Sequence, residues 1–289
     1  MRLYCNDSII RGTDKTMVDA QTLVYIFSII LFAMNLFIGL FLLKRARITS
    51  LTNILWLCFY FFFTVIEFIC KMVFAFGRPA IGVNFISIFF FSINLTGHVF
   101  LIFFVKFTFY LDRKSPFVIL LSSAIIAKIA YIVTYTITEI GKSILFYIIS
   151  LGIGSYIIFI SSFWLSYAAL SSYQNIKKEN IAPWVKKRYL MVGISAIFLI
   201  AQIIPILLTP YRGSFTDPLM ATLVMFLTVL NIIFALLNLF AWMMPKWLKK
   251  YLNQGYKSQE EDVVSSESED ALIEKLKSQL ALGGSDGSN

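Results

Sequence analysis

The sequence predicts an all-α fold: a polytopic membrane protein built as a seven transmembrane helix bundle, N-terminus outside and C-terminus cytoplasmic. Three observations predict it. Of the 289 residues, 58% are hydrophobic and only 14% charged, whereas soluble domains carry about a quarter charged residues. The mean hydropathy is +0.79, more apolar surface than a soluble chain of this length can cover. The net charge of +9 is spread in short basic clusters between apolar runs. Clusters of that kind meet anionic headgroups and set orientation, so nucleic acid is not an expected partner.

Crossing about 30 Å of hydrocarbon takes about 20 apolar residues in a helix. Seven runs qualify, near 21–43, 52–76, 83–105, 116–137, 143–171, 188–209 and 216–244. Each must be helical, because lipid offers no partner to an open backbone. The first 20 residues hold no apolar run beside a small-residue cleavage site, so 1–20 is expected to be an extracellular tail without a cleaved signal. The fifth run is long and contains Gly152, Gly154 and Ser155, small residues that permit close helix approach. In the sixth, Gln202 and Pro205 mark an expected kink, since proline leaves a carbonyl without its donor.

Orientation follows from the loops. Fifteen lysines and arginines lie at one set of span ends, from Lys44 and Arg45 to Lys250 and Lys257, and six at the other. The richer side is expected inside. The transmembrane domain is therefore 21–244. Residues 245–256 are expected to form an interfacial amphipathic helix on anionic inner-leaflet lipids, with Trp247, Leu248, Tyr251 and Leu252 on one face. The acidic tail 257–289 contains one short amphipathic helix, with Leu272, Ile273, Leu276 and Leu280 on a stripe that needs a cytoplasmic partner or a membrane surface.

Polar residues inside the spans are the candidate site. Glu67 and Lys71 are four apart in the second span, Asn94 and His98 share a face of the third, and Lys128 lies near the middle of the fourth. Gln202 and Asn231 lie in the sixth and seventh, with Asn238 on Asn231's face. A charge at that depth costs about 2.5 kcal/mol or more unless it is paired or faces water. Lys71 is close enough to the outer headgroups to snorkel. Lys128 is too deep to do so, and a Glu67–Lys128 pair, direct or water-bridged, is the expected meeting of spans two and four. Asn94 and His98 would extend this interior. Two readings follow: a ligand or proton site, or a polar clasp that fixes helix register.

No catalytic, metal or cofactor constellation stands out. The chain has one histidine and no Cys-x-x-Cys. Cys58 and Cys70 lie in apolar runs and read as packing residues. The last span has no lysine to carry retinal.

The stretch "KKRYLMVGISAIFLIAQIIP" followed by "FTDPLMATLVMFLTVLNIIFALLNLFAWMMPKWLKK" resembles the seven-transmembrane N-terminal sensor region of prokaryotic histidine kinases. The matching residues are Arg188 and Gly193 entering span six, Asp217 and Pro218 opening span seven, and Pro245 and Lys246 leaving it, with Trp56 a fainter echo. About a quarter of the chain carries the likeness. It implies a sensor or receptor-like signalling module in the cell membrane. No kinase domain follows the seventh span, so output would pass to a separate partner. The alternative is a small secondary transporter or ion/proton pathway using Glu67, Lys128 and His98.

Overall fold

The computed structural model describes residues 7–76, 83–111, 114–179, 181–210 and 218–254, leaving the side chains of 7–21, 24, 70–76 and 83–91 outside the description. These residues form helices α1 (Asp7–Thr49), α2 (Thr52–Phe76), α3 (Val83–Phe109), α4 (Phe117–Gly141), α5 (Ile144–Ile176), α6 (Pro183–Ala201), α7 (Ile203–Leu207), α8 (Pro218–Met243) and α9 (Lys246–Leu252). No strand occurs among the described residues. Seven helices are long and apolar enough to cross a membrane, counting α6 and α7 as one span. The all-α seven-helix architecture is thus as expected.

The first helix extends beyond its apolar run. α1 begins at Asp7, within the stretch read as the N-terminal tail; a polar stretch of helix gives no hydropathy signal. The expected tail helix with Leu272, Ile273, Leu276 and Leu280 lies outside the described residues, as does the rest of 257–289.

The helices close into a ring. Each span touches the next in sequence, and α1 also packs against α8. α3 packs against α2, α4 and α5, so it is the central post. Aromatic rings fill the seams. Trp56 on α2 stacks on Phe103 of α3 at 4.8 Å between centroids, and Phe61 stacks on Phe234 of α8 at 5.9 Å. Outward faces carry aliphatic groups instead: Ile119, Ile126 and Ile140 of α4 are each more than half exposed. In lipid such exposure carries no hydrophobic penalty, and association rests on close packing.

Small residues set the closest approaches. A Cβ on Gly39 of α1 would meet Phe62 at 3.1 Å, and buried Cys58 donates its thiol to the Gly39 carbonyl at 3.2 Å. Cys58 is therefore a packing residue, as expected. A Cβ on Gly154 would lie 3.3 Å from Tyr131 of α4, while one on Gly152 would meet open space. Only the first of those two glycines brings helices together. α5 is unbroken over 33 residues, about 50 Å, so it tilts or extends past the hydrocarbon.

The kink in span six falls at Gln202, between α6 and α7. The Gln202 amide donates to Leu199 O at 3.2 Å, a tightened last turn. Three residues on, Pro205 has no N–H to give the Ala201 carbonyl. At the other end of the bundle, α9 packs Leu248 and Leu252 against Trp184, Val185 and Met244. Trp247 and Tyr251 remain about two-thirds exposed, so the expected apolar face is shared between the bundle and its surroundings.

Candidate functional site

Two groups of polar contacts hold the spans together, one in the middle of the bundle and one at its basic end. The middle group is built on α3. Its His98 is 2% exposed and its Nδ1 lies 2.9 Å from Ser161 Oγ on α5. The Ser161 hydroxyl donates to Ile158 O at 3.1 Å. A serine has one proton to give, so Oγ accepts from Nδ1–H. Tyr60 of α2 meets the imidazole edge-on at 5.5 Å. His98 therefore joins α2, α3 and α5.

Lys128 of α4 finds a different partner from the one expected. Its Nζ donates to Thr96 Oγ1 on α3. The Thr96 hydroxyl donates in turn to Ser92 O at 2.9 Å, which leaves its lone pairs to accept the ammonium proton. The direct Glu67–Lys128 contact is thus replaced by a Thr96–Lys128 one. The physical reason is the ring order: α3 stands between α2 and α4, and Lys128 meets it first. Glu67 itself is buried, 5% exposed, within electrostatic reach of the Tyr60 and Tyr131 hydroxyls. Asn94 is half-buried on the same face of α3 as His98. The side chain of Lys71 lies outside the described residues.

The sign of two substitutions follows. Thr96→Val leaves the Lys128 ammonium without its acceptor and is expected to cost about 1–2 kcal/mol. Lys128→Leu loses the same bond but removes a mid-helix charge that costs about 2.5–3.5 kcal/mol. It is therefore expected to stabilise the bundle. Equilibrium unfolding in mixed micelles checks both. Ser161→Ala, which strands the His98 Nδ1–H, is expected to cost about 1 kcal/mol in the same assay.

The last spans contribute unevenly. Asn238 is 1% exposed and its Nδ2 donates to Ser195 Oγ of α6 at 2.9 Å and to Phe234 O of its own helix. Asn231, seven residues earlier, donates to Leu227 O at 3.0 Å within α8. Of the two asparagines, Asn238 makes the interhelical bond. Gln202 is buried at the helix break, and its Nε2 has no partner among the described residues.

The group at the basic end was not singled out as a site from sequence. Arg188 of α6, 6% exposed, donates Nε to Ala241 O of α8 at 2.9 Å. Arg45 of α1 donates NH1 to Trp242 O at 2.7 Å. In an uninterrupted helix the Ala241 carbonyl would accept from the amide of residue 245, but that residue is Pro245 and has none. Two arginines supply the missing donors, and their charge suits a helix C-terminus. Arg188 also lies over the rings of Trp184 and Trp242 at 5.0 and 5.7 Å, and Lys249 of α9 lies 4.5 Å from the Trp184 ring. The signal in the sequence was the four-residue spacing of Ala241 and Pro245.

No group of three or more His, Cys, Asp or Glu side chains gathers as a metal site among the described residues. Compared with known proteins, the chain matches no family model, no curated protein and no solved structure.

Proposed function

We propose that the chain is an integral membrane sensor or receptor-like signalling module of the cell membrane, N-terminus outside and C-terminus in the cytoplasm. One observation carries the reading: α6 is broken at Gln202 at one end and tied at the other to the capped end of α8, from which α9 continues. A change in packing around the break reaches the surface helix through Ser195–Asn238 and Arg188–Ala241. The tail beyond α9, with Leu272, Ile273, Leu276 and Leu280, would then present or withdraw a docking stripe for a cytoplasmic partner. The resemblance of spans six and seven to histidine-kinase sensor regions supports the same reading.

The test uses the full chain in vesicles. Termini labelled from opposite faces, together with tail-dependent recovery of a partner that Arg188→Ala weakens, support the module. Labelling of both ends from one face, or recovery indifferent to the tail, removes it. A secondary transporter is favoured by the charged interior around Lys128, Thr96 and Glu67; solute or proton flux in proteoliposomes would establish it.

A further inference from the structure

A groove runs along the outward face of α5 at the basic end of the bundle. Its upper part lies against Tyr110, Pro116 and Leu120 and is floored by Phe159, Phe163 and Tyr167. Its lower part continues past Phe163 and Tyr167 to Leu170, Ser171 and Gln174. The two parts hold about 320 and 360 Å³, each within the ~300–1,000 Å³ of small-molecule sites.

The spacing is what a helix needs for one continuous stripe. Phe159, Phe163, Tyr167, Ser171, Gln174 and Lys178 follow one another by three or four residues. Phe159, Phe163 and Tyr167 are 43, 53 and 59% exposed, and Phe159 stacks on Phe163 at 5.4 Å. From Phe159 to Gln174 the helix rises about 22 Å, against a hydrocarbon half-thickness of about 15 Å. The groove is therefore longer than one leaflet's hydrocarbon, so with its aromatic end in that hydrocarbon its polar end reaches headgroup depth.

Its chemistry changes along that length. The deep end is aromatic and apolar, the middle offers a hydroxyl and an amide, and the turn that follows Gln174 and the end of α5 carries exposed Lys177 and Lys178, with Glu179 next in the chain. Acyl chain, ester and phosphate present the same order. We propose that this groove is a binding site for one anionic glycerophospholipid, its chain along Phe159 and Phe163 and its phosphate at Lys177 and Lys178. The charge at the mouth selects the anionic class over a zwitterionic one, and the exposed aromatic floor selects a lipid over a peptide. The site is independent of whether the bundle senses or transports.

The experiment is native mass spectrometry of the full chain released from nanodiscs of equal phosphatidylglycerol and phosphatidylcholine. The wild type is expected to retain phosphatidylglycerol at least fivefold over phosphatidylcholine. A lysine near an anionic surface is worth up to roughly fivefold in affinity, so the two together cover a preference of about 5- to 25-fold, and Lys177→Gln with Lys178→Gln should bring that ratio close to one. Phe163→Ala should lower retention of both lipids together. If Phe163→Ala does not fold, the lysine pair, far from the core, decides alone. Retention without selectivity in the wild type, or selectivity that survives loss of both lysines, overturns the proposal. A Phe163→Cys variant that cross-links to a second copy within the bilayer overturns it too, by giving the stripe to self-association.

Discussion

Arg188→Ala is expected to cost about 3–5 kcal/mol. A hydrogen bond from a charged donor contributes about 1.5–3 kcal/mol, and the Ala241 carbonyl it leaves behind costs about 1–3 more when buried. Loss of contact with the Trp184 and Trp242 rings adds to both. Lysine should recover less than half of the loss. Its ammonium is a point charge with no planar face for two indoles. Denaturant titration in mixed micelles checks both variants. A second readout is the rotation of α9, followed by a spin label at Tyr251: uncapping α8 should loosen it. If Arg188→Ala unfolds at the wild-type midpoint, the proline-orphaned carbonyl is being satisfied some other way.

Gly193→Val is expected to cost about 3 kcal/mol, the upper part of the range for overpacking. A Cβ on Gly193 would stand 2.7 Å from both Cγ and Cδ2 of Leu170, and 3.4 Å from the Leu170 amide nitrogen. The leucine cannot simply swing its tip away, because Cγ is close to its root. The same seam carries the Ser166 hydroxyl, which donates to the Gly193 carbonyl at 3.0 Å and would be pulled apart as the helices separate. Leu170→Ala placed in the same chain should return most of the loss. A double-mutant cycle measures that coupling. If the two substitutions add without coupling, the α5–α6 approach is looser than the geometry states.

The spans were legible because hydrocarbon thickness fixes their length and leaves no other secondary structure open to them. The break at Gln202 was legible for a local reason, the proline three residues later. Gly154 was legible as a small residue, and the structure adds which neighbour it admits. Lys128 was legible as a residue that must face inward, but its partner was not. Choosing between Glu67 and Thr96 requires knowing which helix stands beside α4, and no residue pattern states that. The same holds for Ser161, one of several serines in α5 until His98 is placed opposite it. Arg45 was counted only as a charge at a span end, and Arg188 as such a charge and as part of the sensor-region resemblance. Their bonds to Ala241 and Trp242 join residues far apart in the chain, so periodicity carried no trace of them.

The bond between Arg45 and the Trp242 carbonyl joins residues 197 apart. At roughly 5–20 residues per second of synthesis, the first span waits some ten to forty seconds for the last to emerge. Until then the flank of α1 that α8 will cover stays open to lipid or to the insertion machinery. A ribosome that stops short of Trp242 therefore releases an unlatched chain, and cellular quality control has a defined lesion to recognise.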